Sequence, residues 1–159
     1  MDDVGMWLRF LHIFAALWLA AGAIGSAVVR AQTRRAKTLP ERVFGIRLAY
    51  RMINVLNLPG SILVGVLGFG LISTRGYSWS AGWIQASIAI WALMLALGLF
   101  YTRPFVKKVL AAAEASLAAG GAPNADLQRL VAKNGPARAA DFMLVGFVVL
   151  VLLMVFKPF

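Results

Sequence analysis

From Trp7 to Val29 the chain reads WLRFLHIFAALWLAAGAIGSAVV, with Met6 before it and a basic run from Arg30 to Lys37 after it. At 1.5 Å per residue, about twenty apolar residues cross a hydrocarbon core of roughly 30 Å. A run of this length places the chain in a membrane. Three more apolar runs follow, at about 52–73, 83–105 and 139–156, and the segments between them carry the charge. The expected fold is all-α: one domain over residues 1–159, a four-transmembrane-helix bundle.

Composition agrees. The chain is 61% hydrophobic and 14% charged, whereas a soluble domain is nearer half apolar and a quarter charged. There is no cysteine, which excludes disulfides and thiolate metal sites. The net charge of +10 does not indicate nucleic acid, because the charges cluster at the ends of apolar runs. The first run does not read as a cleavable signal: it opens on Asp2 and Asp3 and is too long.

The basic residues set an expected orientation. Seven of the sixteen lie between Arg30 and Arg51, six between Arg103 and Arg138, and only Arg9, Arg75 and Lys157 elsewhere. The positive-inside rule puts the first and third connections in the cytoplasm. Both termini and the short connection Ser73–Gly82 are then outside, on the periplasmic face of a cell inner membrane. Trp7, Tyr77, Trp79 and Trp83 fall at the outer interface, and Tyr50 and Tyr101 at the inner one. Trp18 and Trp91 fall near mid-membrane, where an indole N–H needs a partner.

Local signals refine the helices. Thr38-Leu39-Pro40-Glu41 is a capping box with proline in the first turn, so the second helix starts near Leu39 and enters the membrane near Arg51. Pro59-Gly60 lies inside its span and predicts a kink. The third helix runs on through the alanine-rich stretch Leu110–Ala119 until Gly120-Gly121-Ala122-Pro123 stops it. Asn124 caps a short helix to about Lys133, and Gly135-Pro136 breaks the chain before the fourth helix. Lys157 is expected to snorkel to the outer interface. The two hairpins share orientation but no quotable repeat.

Polar residues inside spans are the functional candidates, because their burial is costly. They are Arg9, His12, Asn54, Asn57, Ser61, Gln85, Ser87 and Asp141. His12 shares its helix face with Ala15, Ala16, Leu19, Gly22, Ala23 and Ser26, a small-residue face that lets another helix approach. Imidazole there can ligate haem iron, shuttle a proton or simply pack. Met154, at similar depth on the fourth helix, is the candidate second ligand, with filler as its plainer role. Gln85 enters at the level of His12 and Arg9, for a hydrogen bond to one of them or a ligand role. Asn54 and Asn57 read as interhelical glue or as a polar pocket below the Pro59 kink. Asp141 caps the fourth helix or pairs with a loop arginine. A metal site built from protein residues alone is not expected, for want of a second histidine or a cysteine. No phosphate-binding loop, nucleophile elbow or carboxylate pair is present. The glycines of Gly65-Val66-Leu67-Gly68-Phe69-Gly70 mean close packing instead.

Three pieces carry a family likeness: Leu8-Arg9-Phe10-Leu11-His12-Ile13 with Trp18; Gly82-Trp83-Ile84-Gln85 leading to Tyr101-Thr102-Arg103-Pro104; and Met154-Val155-Phe156-Lys157-Pro158. With them the chain resembles a family of uncharacterised four-span bacterial integral membrane proteins, a domain of unknown function. The resemblance implies four helices and no established activity. A more distant similarity runs to the membrane protoporphyrinogen oxidase of haem synthesis and to copper-resistance membrane proteins. It rests on the early His12 and on the ending Lys157-Pro158-Phe159. The oxidase's helix-three lysine has no counterpart here, Ser87 standing roughly at its place, so the similarity carries over only His12, as a ligand for haem b.

The expected function is that of a non-catalytic accessory subunit or small-ligand binder. The alternatives are a haem-binding redox protein and a transporter component. The expected partners are the lipid bilayer and either a second copy or a larger membrane complex.

Overall fold

The computed structural model describes residues 3–158. Asp2 and Phe159, which entered the sequence reading at the acidic start and the Lys-Pro-Phe ending, lie outside the described residues. Helix α1 runs Asp3–Arg35, α2 Leu39–Met52, α3 Leu58–Arg75, α4 Gly82–Ala96, α5 Arg103–Ala118, α6 Ala125–Val131 and α7 Gly135–Phe156. Among the described residues, four continuous helical stretches are long and apolar enough to cross a membrane: Asp3–Arg35, Leu39–Arg75, Gly82–Ala118 and Ala125–Phe156. The all-α four-helix expectation holds.

The first connection is much shorter than its charge suggested. Helix α1 carries Arg30, Arg34 and Arg35 as helical residues, and only Ala36–Thr38 separates it from α2. The capping box is formed: Thr38 accepts from the Glu41 backbone N–H, and Glu41 reaches back to the Thr38 N–H. Gly120 and Gly121 leave α5 at φ of 103° and 88°, a left-handed conformation that side chains rarely adopt. Asn124 then caps α6 through the Leu127 N–H at 2.8 Å. One expectation needs correcting. Gly135-Pro136 opens α7 rather than breaking the chain before it. A proline in the first turn loses an N–H that had no intrahelical partner anyway.

Pro59 does disturb its helix, through a π-turn at Ile53–Asn57 that joins α2 to α3. Proline supplies no N–H and its ring crowds the carbonyl four residues back, here that of Val55. The widened turn relieves the crowding, and Trp18 Nε1 donates to that Val55 carbonyl at 3.3 Å. A second π-turn, Leu97–Thr102, joins α4 to α5 immediately before Arg103-Pro104. The sequence reading did not anticipate it.

Packing closes the ring α1–α3–α4–α7. Helix α1 lies along α3, α3 contacts α4, α4 packs on α7, and α7 returns to α1. At Gly60 the two backbones approach closely: a β-carbon there would sit 3.1 Å from the Leu19 backbone. Ala15, Leu19 and Val64 form a small core inside the spans. The larger core lies beyond them, at the end that carries most of the arginines. There Leu39, Val43 and Ile46 of α2 meet Val109 and Ala113 of α5 and Leu127 of α6. Arg47 pairs with Glu114 across the same contact at 2.7 Å. This end is called the basic end below, and the opposite one, with the 76–81 connection, the terminal end.

Candidate functional site

The terminal half of the bundle holds an open-sided cavity of about 390 Å³ between α1, α3, α4 and α7. His12 and Met154, read from the sequence as a candidate ligand pair, both line it, and so does Arg9. His12 stands on the buried α1 face with Ala15, Leu19 and Gly22, as its helical spacing predicted. Its ring fits because the residue opposite is Gly68, where a β-carbon would meet Cε1 at 3.2 Å. Nδ1 is buried against α3 without a well-aligned partner, with the Val64 backbone acceptor beside it. Nε2 likewise makes no hydrogen bond among the described residues, so the imidazole has hydrogen-bonding capacity left for a ligand.

Aromatic side chains build the walls. Trp91 fits against Gly65 and donates from Nε1 to the Ser61 carbonyl at 2.8 Å, which fixes its plane. Phe69 meets Trp91 edge-on at 5.7 Å and stacks with Trp79 at 6.1 Å. Ser87 is buried in the wall, its hydroxyl donating to the Trp83 carbonyl at 2.7 Å. The mid-membrane indole of Trp91 therefore both packs and shapes a cavity. Its side chain was legible as needing a hydrogen-bond acceptor, but nothing in the sequence pointed to Gly65 as the notch that receives it.

The mouth of the cavity is cationic. Lys157 does not simply snorkel outward. It folds over the Tyr77 ring, Nζ 4.7 Å from the centroid, and donates to Tyr77 Oη at 3.0 Å. Trp83 flanks the same ammonium at 5.7 Å and meets Tyr77 edge-on at 5.6 Å. The hydrogen bond from Lys157 holds the Tyr77 phenol below its usual pKa. Burial opposes that shift, and the charges of Lys157, Arg9 and Arg75 reinforce it. An anionic group at this mouth meets donors and positive potential together.

The other candidates lie elsewhere. Gln85 is exposed and lines no part of the cavity, so the bond to His12 or Arg9 is not formed; Ser87, two residues on, takes the inward position. Apart from Gln85 and Ser87, helix α4 is apolar on all sides, so its sequence did not decide which of the two faces inward. Asn54 donates to the Tyr50 carbonyl at 2.7 Å and accepts from Arg103 Nε at 2.8 Å, which ties the two π-turn regions together. Asn57 donates to Ser26 Oγ at 3.0 Å, next to the Gly22 notch. Each thus makes one link to another helix, and Asn57 also lines a second cavity. Asp141 pairs with Arg30 at 2.5 Å rather than capping α7, which begins six residues earlier.

Residues 6–158 match the family described as Predicted integral membrane protein (DUF2269), and the chain belongs to that family. It is thus an integral membrane protein by family as well as by its four apolar helices. No curated protein and no solved structure matches it.

Proposed function

We propose that the protein is a non-catalytic membrane component, an accessory subunit that holds a small amphipathic ligand in the His12 cavity. The observation that carries this reading is the cavity itself: aromatic walls, an imidazole with hydrogen-bonding capacity left for a ligand, and cations at the mouth. Ligand sites are mostly apolar with a few convergent polar groups, and about 300–1,000 Å³ is their usual size. The ligand class follows from the lining. An apolar, ring-bearing body suits Trp83, Trp91 and Phe69. A polar atom on it meets the His12 imidazole, and an anionic end meets Arg9 and Lys157. The core of Ala15, Leu19 and Val64 closes the bundle below the cavity, which favours holding a ligand over conducting one. In the bilayer the basic end faces the cytoplasm, following the arginine distribution.

The test is extraction of the protein purified in mild detergent. A single small molecule should co-purify with wild type and be lost from His12→Ala. Extracts that match between the two proteins would sink the reading.

A second reading has one observation in its favour: His12 and Met154 line the same cavity. The donor set suits haem b. His12 and Met154 would hold its iron, with Arg9 and Lys157 at the mouth for its carboxylates. Bound haem would supply one-electron redox chemistry. The absorption spectrum decides between the readings: a Soret band that shifts in Met154→Ala and vanishes in His12→Ala supports haem, and a featureless visible spectrum leaves the colourless ligand.

A further inference from the structure

A second cavity, about 410 Å³, occupies the basic half of the bundle and extends along α1 from Leu19 to Arg34. Those positions lie about 22 Å apart on a helix axis. The walls between them are mostly apolar, drawn from α1, α2, α3, α4, α5 and α7 and interrupted by Ser26, Asn57 and Ser61, with Asn57 Oδ1 buried and unpartnered, and arginines stand at the basic end. Arg30 is already paired with Asp141. Arg34 and Arg42 make no ion pair among the described residues. Thr102 adds an independent observation. It lines the cavity, is 8% exposed, and its Oγ1 is buried with no partner. A helical threonine normally returns its hydroxyl to the carbonyl four residues back. In the π-turn Gly98 accepts from the Arg103 N–H, one residue further on, and the Thr102 hydroxyl does not return to it.

We propose that this cavity holds an acyl chain of an anionic membrane lipid, with the lipid phosphate between Arg34 and Arg42. The long apolar shape fits a chain, and the unpaired guanidinium groups fit a phosphate. The buried Thr102 hydroxyl supplies a donor for a lipid ester carbonyl. Selectivity must come from the headgroup. A chain leaving the bilayer for this cavity exchanges one hydrocarbon environment for another and gains little. Each arginine near the headgroup is worth about fivefold in binding. The site is separate from the His12 cavity, because Ala15, Leu19 and Val64 pack between the two. Loss of either ligand therefore leaves the other reading standing.

The experiment is native mass spectrometry of the full chain in neutral detergent. Phosphatidylglycerol and phosphatidylcholine of identical chains are added in equal amounts. Wild type should retain one phosphatidylglycerol in preference to phosphatidylcholine. R34Q and R42Q should each reduce that preference about fivefold. R129Q, an exposed arginine outside the cavity, should leave it unchanged. A140F fills the cavity and should remove the retained lipid. If A140F does not fold, T102V keeps the side-chain shape and must still lower retention. Equal retention of the two lipids overturns the proposal, since any chain would then do. So does an equal loss in R129Q and R34Q, which would mean attraction to the whole basic surface. Undiminished retention in folded A140F or in T102V also overturns it, since the lipid would then ride outside the cavity.

Discussion

Gly22 shows how one atom decides the spacing of two helices. A β-carbon there would collide with Asn57 Oδ1 and stand 2.8 Å from Leu56 Cβ. Asn57 is held by its bond to Ser26 and has little room to retreat. Gly22→Ala should therefore cost about 1–3 kcal/mol, the usual cost of overpacking. Gly98→Ala is the control, because its β-carbon would meet only Leu58 Cδ2 at 3.6 Å. Thermal melts in detergent compare them, and equal melting temperatures would refute the argument. Tyr77 gives a pH prediction. Its native pKa is lowered by the Lys157 hydrogen bond, so the fold favours the phenolate. That contribution is fully present above the unfolded value of about 10 and is lost as pH falls through the lowered native one. The stability gap between wild type and Tyr77→Phe should widen as pH rises toward about 10. A gap that stays constant in alkaline melting curves would count against the pairing.

At the scale of elements, the sequence was most legible where a local rule has one solution. Thr38 and Glu41 can satisfy each other only as a helix start, and they do. Asn124 likewise caps the only turn within reach. Pro59 announced a missing N–H, but not how the chain would absorb it: a π-turn with Trp18 supplying the donor is a tertiary solution. Pro104 drew no attention because it lay at a span boundary, yet it has the same π-turn before it. In the candidate site, the face of His12 follows from helical spacing, and Met154 follows only from its depth on the fourth helix. It was not legible in Gly65 and Gly68, whose use as notches depends on which helix lies opposite. The Asn54–Arg103 bond joins the two π-turn regions and gives a prediction. Asn54→Leu should destabilise the protein by roughly 1 kcal/mol, in the range of polar contacts between membrane helices. Arg103→Lys, which keeps the charge and loses Nε, should cost nearly as much in chemical denaturation. Full rescue by lysine would show that charge alone matters there.

At the scale of the whole molecule, two kinds of packing share one chain. Only 11–22% of the residues in the four apolar windows are buried within the protein, so lipid must cover the rest. Phe100, 81% exposed, and Phe156, 71% exposed, are lipid-facing on this view rather than misplaced. The basic end instead buries Leu39, Val43, Ala113 and Leu127 as a soluble domain does. A reporter fused after residue 158 should be active only if it works outside the cytoplasm, given the arginine distribution. Cytoplasmic activity of that fusion would reverse the orientation. Each half of the molecule asks a different face of the same helix for contacts, and the π-turn at Ile53–Asn57 is what lets one helix answer both. On one side Val43 and Ile46 must point at α5; on the other Gly60 and Val64 must point at α1. The π-turn carries one residue more than an α-turn, and so acts as a phase shifter of about 100° between the two faces. Deleting one residue there would leave a better α-helix and a worse protein, because no rotation of the uninterrupted rod could seat both ends at once.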